Sequence, residues 1–283
     1  MAFLASLVVV VALTASVAHM QHATTVRAAD RASGSAPRLE DAQRSFYSGR
    51  YEDASALALS LCAAGVDDLE ACELRTASLH FEIRKALGDG VDREKAWETC
   101  APCAELFATF VAETDRARAL ARARLKSNPN DDEALFLLGK IDLNYVWLQL
   151  GTRGRKTGWD QYWEARASLD QVLERNPSHL RARVARAWID YIVGTEMPRG
   201  TRWVLGGGSK KKGLRVVREA ASGDGEFFER AEATFALWDM QVRERELMEA
   251  VATARQLARD FPDNRELTRF LHAQQESNRR DVR

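Results

Sequence analysis

The sequence predicts an all-α chain, a solenoid of stacked helices, and three observations carry that expectation. From Leu39 onward almost no run alternates apolar and polar residues as a half-buried strand would. Three of the six prolines stand inside similar phrases, RARLKSNPNDDEAL, QVLERNPSHLRAR and QLARDFPDNREL. In each an amphipathic helix runs into Asn-Pro or Phe-Pro, a polar cap follows, and a new helix begins. Proline cannot continue a helix interior, so each phrase marks a helix-to-helix turn. Finally, the glycines cluster between the helical runs.

Taken in order, residues 3–18 (FLASLVVVVALTASVA) are apolar apart from Ser and Thr. That is the length of a signal-peptide apolar region, and Ser16 and Ala18 supply small residues for cleavage after Ala18. No Lys or Arg precedes the run. We expect residues 1–18 to be a signal peptide, 19–37 a disordered linker without apolar periodicity, 38–275 a solenoid domain of nine to eleven helices, and 276–283 a polar tail. The expected location is exported and periplasmic, in association with the cell envelope. The 41 basic and 41 acidic residues balance. A bulk nucleic-acid partner is therefore not expected, because such domains carry a basic excess.

The proline spacing is informative. Pro129 to Pro177 and Pro177 to Pro262 exceed one and two periods of 34 residues by 14 and 17 residues. FYSGRYEDASALALSL has Gly49 and Tyr51 at a turn and Ala54 at a small packing position. ALFLLGKIDLNY places Gly139 where two helices touch closely. These segments resemble the tetratricopeptide repeat (TPR), a helix–turn–helix unit. The resemblance covers most of residues 38–270, is strong in three or four segments, and is weak around 66–110. It implies a right-handed solenoid of four or five repeats, each burying its apolar stripe against its neighbours.

WETCAPCAELF holds a C-x-P-C motif. A thioredoxin-like centre needs a strand feeding the motif, but REKAWETCAPCAELFATFVAE is helical on both sides, with Pro102 in the first turn of a new helix. Haem attachment needs a histidine where Ala104 stands. A zinc site would also need Cys62 and Cys72, which nothing in the sequence brings close. In an exported chain the four cysteines read as structural disulfides, either 62–72 with 100–103 or crossed between the pairs.

The extra residues between Pro129 and Pro177 fall between the first and second helices of one repeat, in LQLGTRGRKTGWDQYW. The next repeat expands at the equivalent place, in MPRGTRWVLGGGSKKKGL. The two insertions should share one edge. Its basic residues are Arg153, Arg155, Lys156, Arg199, Arg202, Lys210, Lys211 and Lys212, expected to face outward. Trp159, Trp163 and Trp203, with Trp147 and Trp188 nearby, are expected to turn inward. GGGSKKKG is not a phosphate loop, because it lacks the Lys-Ser or Lys-Thr pair and follows a helix. It reads as a tight glycine turn, with Ser209 as N-cap of a helix whose first-turn lysines oppose the helix dipole.

No catalytic constellation, metal spacing or cofactor motif appears, and His80, His179 and His272 are scattered. The resemblance implies a non-enzymatic scaffold holding a protein or peptide partner on the inner faces of the first helices. Those groove positions are Lys140, Asn144, Arg181, Trp188, Tyr191, Asp239 and Arg243, a basic and aromatic set suited to carboxylates. The alternative is a small-molecule-binding or transport accessory protein with an aromatic pocket near the insertions.

Overall fold

Several helix starts among the described residues are set by local capping signals that a sequence can carry. The computed structural model describes residues 38–63, 68–88, 93–155, 157–198, 200 and 202–281. The leader and linker (residues 1–37), Lys156 and Arg199 lie outside the described residues. So does the end of the tail. Among the described residues there are twelve helices and no strand, one more helix than the upper bound expected.

Helices α1 (Leu39–Tyr47) and α2 (Tyr51–Ala63) are joined by a turn in which Gly49 takes a positive φ of 73°. Asp68 caps α3 (Leu69–Leu87) by accepting from the Ala71 amide at 3.0 Å. The short α4 (Arg93–Thr99) leads through Pro102 into the long α5 (Cys103–Ser127). Asp131 caps α6 (Asp132–Trp147) in the same way, at 2.9 Å from the Ala134 amide. A π-helical turn (Leu148–Thr152) extends α6 before α7 (Trp159–Arg175). His179 Nδ1 caps α8 (Leu180–Glu196), and a 3-10 turn (Arg202–Leu205) leads to α9 (Lys210–Ala221). Ser209 Oγ accepts from the Lys212 amide at 3.3 Å, making it the N-cap of α9. Helices α10 (Phe227–Arg243), α11 (Leu247–Asp260) and α12 (Arg265–Asp281) complete the chain.

Each helix packs on its sequence neighbour, except that α3 passes over the small α4 to pack on α5. Beyond neighbours, α3 packs on α6 and α8 on α10, which brings these four helices to the inside. The largest apolar core runs from Cys62 and Leu69 through Phe136, Leu137 and Ile141 to Leu169 and Ile189. A second core, around Val184, Tyr191, Val217 and Met240, joins α8, α9 and α10.

The first described helices also reach the last ones. The Tyr47 ring lies 5.4 Å from that of Phe235, 5.5 Å from Phe261 and 6.0 Å from Phe228. Asn264, almost fully buried, donates to the Tyr47 carbonyl at 2.8 Å, and its Oδ1 accepts from the amides of Glu266 and Leu267 to cap α12.

The cysteines pair as Cys62–Cys72 and Cys100–Cys103, and the crossed alternative does not occur. The first pair clamps the end of α2 to the start of α3. The second sits at the α4–α5 junction, where Cys103 is fully buried among Leu79, Ile83, Phe110 and Leu148.

Candidate functional site

The inner faces of α3, α6, α8 and α10 carry charge, and three of the seven expected groove positions are consumed by it. Arg181 Nη1 donates to Glu70 Oε1 at 2.6 Å and Nε to Glu232 Oε2 at 2.9 Å, while Nη2 lies 3.7 Å from Glu73. Lys140 donates to Glu232 Oε1. Asn144 Nδ2 donates to Glu73 Oε1 at 3.0 Å and to Thr76 Oγ1 at 2.9 Å. Only 14–18% of the Arg181, Glu232 and Lys140 side chains is exposed, so this cluster is inside the protein. Burial works to raise the Glu232 carboxyl, but Lys140 and Arg181 outweigh it and hold Glu232 down at about 2. Burial keeps Glu70 above the usual carboxylate range, although Arg181 opposes it.

Lys140, Asn144 and Arg181 therefore do not form an open partner groove. The approach of α10 and of α1 to these helices encloses them, and an enclosed cation must be paired. Their counter-charges Glu70, Glu73 and Glu232 were missing from the sequence-based set. The clue was complementarity: basic residues on inward faces of packed helices demand carboxylates on the facing helices.

The remaining groove positions come together between α8 and α10. The Arg243 guanidinium lies 5.8 Å from the Trp188 ring centroid and its Nε donates to Asp239 at 3.1 Å. Tyr191 is buried, edge-on to Trp188, and its hydroxyl donates to Glu244 at 2.7 Å. Arg243 is exposed, and Trp188 and Asp239 are half-buried.

A second buried charge cluster sits between α5, α6 and α7. Arg118 Nε lies 2.8 Å from the fully buried Asp142 carboxylate, but their alignment is too poor for a hydrogen bond. Arg118 also donates to Glu164 at 2.8 Å, as does Arg122. Glu164 thus takes both guanidinium groups. Burial then dominates at Asp142, and together with the nearby Glu164 charge it pushes that carboxyl up to about 8 against the pull of Arg118. His80 is likewise buried, 3.0 Å from Thr152 Oγ1, and burial, aided by Arg84, pushes it down to about 3.

The two insertions meet. Tyr162, in the first turn of α7, donates its hydroxyl to the Leu205 carbonyl at 2.8 Å. Arg166 donates to the carbonyls of Leu205 at 3.1 Å and Gly206 at 2.6 Å. Gly206 and Gly207 have φ of 73° and 77°, a turn that only glycine makes cheaply. Gly213 is needed for a different reason: a Cβ there would lie 2.6 Å from the Ala187 carbonyl, so it lets α9 settle on α8.

Two of the six described residues of the basic edge, Arg153 and Arg202, turn inward. The Arg153 guanidinium lies 4.0 Å from the Phe107 ring centroid and 4.4 Å from that of Trp97. Arg202 donates to the carbonyls of Met197 at 3.0 Å and Gly194 at 2.5 Å. Lys210 pairs with Glu244 at 2.7 Å and Lys212 with Asp190 at 3.5 Å. Arg155, Lys210, Lys211 and Lys212 are all exposed, as expected. Residues Gly194, Thr195, Arg202 and Gly208 to Lys211 line a cavity of about 390 Å³.

The tryptophans also depart from expectation. Trp147 and Trp188 pack against the cores, but Trp159, Trp163 and Trp203 are 44%, 43% and 76% exposed. Tyr162, Ala165, Leu169 and Val172 take the buried face of α7, and Leu205 takes the buried place of the second insertion, so these indoles are left outside. The expected aromatic pocket is not built there. Among the described residues no group of His, Cys, Asp and Glu is placed to hold a metal, and no helix is long and apolar enough to cross a membrane.

Comparison with protein-family models, with curated proteins and with solved structures finds no match to this chain.

Proposed function

We propose that this chain is a non-enzymatic binding scaffold of TPR-like build, acting in the cell envelope, and that it holds a protein or peptide partner on the surface shared by α8 and α10. The observation that carries this reading is the Trp188–Arg243–Asp239 cluster. An accessible guanidinium beside an indole, flanked by a carboxylate, offers an aromatic anchor and a directional donor together. Tryptophan, tyrosine and arginine dominate the binding energy of protein interfaces. Tyr191, held by Glu244, fixes the Trp188 ring from behind. The inner charge cluster supports the same reading indirectly, since it locks α3, α6, α8 and α10 together and gives the surface a rigid base. Two disulfides fit an exported chain, and the periplasm is the compartment we propose for it.

The test is a photo-crosslinking residue placed at Arg243 in the native cell envelope. A discrete crosslinked protein, lost in a Trp188→Ala background that keeps its melting temperature, is the expected result. No crosslink at Arg243 in cells that make the protein would remove this surface from consideration. An aromatic small-molecule pocket near the insertions is not favoured, because Trp159, Trp163 and Trp203 are exposed and line neither cavity found on that edge.

A further inference from the structure

The insertion edge carries an exposed aromatic patch built from residues other than Trp188 and Arg243. Trp159 and Trp163 are one helical turn apart on α7, and both rings contact Tyr162, at 6.4 Å and 5.2 Å between centroids. Tyr162 in turn fastens the 3-10 turn that displays Trp203 and Val204, which are 76% and 52% exposed. Exposed apolar side chains gathered from two segments mark an interaction surface. Their chemistry is specific: three of the four are indoles, each with an apolar body and a polar N–H.

The polar surroundings narrow the partner. Arg155, four residues before Trp159, and Lys211, just beyond the glycine turn that follows Trp203, are exposed and make no ion pair among the described residues. One exposed carboxylate, Asp160, shares the turn with Trp159. Cations left without a carboxylate beside a cluster of tryptophans match a membrane surface. Indoles prefer the headgroup level of a bilayer, and lysine and arginine meet anionic headgroups there.

We propose that this edge docks on an anionic lipid surface, with Trp159, Trp163, Trp203 and Val204 entering the headgroup layer and Arg155 and Lys211 contacting lipid phosphates. The docking is peripheral and leaves the Trp188–Arg243 surface to a protein partner.

Indole fluorescence of the full chain tests this, using vesicles whose acyl chains are brominated near the headgroup. All seven tryptophans follow residue 96, so binding through the N-terminal apolar segment alone would not by itself bring indoles to the bromines. Quenching by vesicles of mixed phosphatidylcholine and phosphatidylglycerol is the expected result, and most of it should vanish in a Trp163→Ala, Trp203→Ala variant. Lys211→Gln should weaken association about fivefold on mixed vesicles and leave phosphatidylcholine vesicles unaffected. A thermal melt of each variant checks the fold, and the single Trp203→Ala change, at the most exposed indole, serves where the double variant melts early. Wild-type indoles that stay unquenched would overturn the proposal. So would quenching that is unchanged in both variants. A concentration-dependent dimer that the variants abolish, without lipid quenching, would assign the patch to a second copy of this chain instead.

Discussion

At the scale of single residues, two buried charges decide how this protein should respond to mutation and to pH. Arg181 answers three carboxylates, and among the described residues no other cation pairs with Glu70. Replacing it with Leu leaves the half-buried Glu70 and the buried Glu73 without their cation. We expect Arg181→Leu to cost about 3–5 kcal/mol, read from denaturant unfolding. Asp142 works in the opposite sense. Its carboxyl, near 3.8 when free, is raised to about 8 in the folded chain. Between those values the folded state holds a proton that the unfolded chain releases, so the contribution of Asp142 is full below pH 4 and is lost as pH rises through 8. Asp142→Asn keeps a neutral group in place and removes this dependence. Unfolding measured at pH 6 and pH 9 should show a steeper loss in the wild type than in the variant, and equal slopes would refute the assignment.

At the scale of elements, the closest contact is the seat of α9 on α8. The glycines of GGGSKKKG read as a tight turn, and two of them also work as a packing device. Gly208 faces Val193 and Gly213 faces the Ala187 carbonyl and the Tyr191 backbone, where any side chain would collide with main chain. Main chain cannot rotate away, so the helices must part. Gly213→Ala should cost about 1–3 kcal/mol despite the better helix propensity of alanine. A variant that melts at or above the wild-type temperature would contradict this packing.

At the scale of the molecule, the contact between the first and last described helices matters most. Asn264 caps α12 and also satisfies the carbonyl of Tyr47, 217 positions earlier. Losing both roles in Asn264→Ala combines a missing helix cap with an unmet buried carbonyl, about 2–4 kcal/mol together. Hydrogen exchange gives the sharper readout. Amides of α1 and α12 should become exchangeable together in the variant, while those of α6 and α8 keep their protection. Faster exchange in α12 with α1 unchanged would show that the two ends do not stabilise each other.

The sequence by itself determined the helices, because their signals are local. Apolar spacing, the cap at Ser209 and the prolines after α5, α7 and α11 all act within a turn or two of the residues concerned. The glycine- and basic-rich insertions were also legible as loops, and they lie between α6 and α7 and between α8 and α9. The tertiary structure decided the cysteine pairing, the carboxylates that answer Lys140 and Arg181, the inward turn of Arg153 and Arg202, and the outward place of Trp159, Trp163 and Trp203. Each of these depends on which helices meet. Glu73 and Asn144 are 71 positions apart and Lys140 and Glu232 are 92 apart, too far for any periodicity to link them. Whether a side chain faces a neighbour or water is set by helix packing and by the volume each core has left, and no local pattern records either.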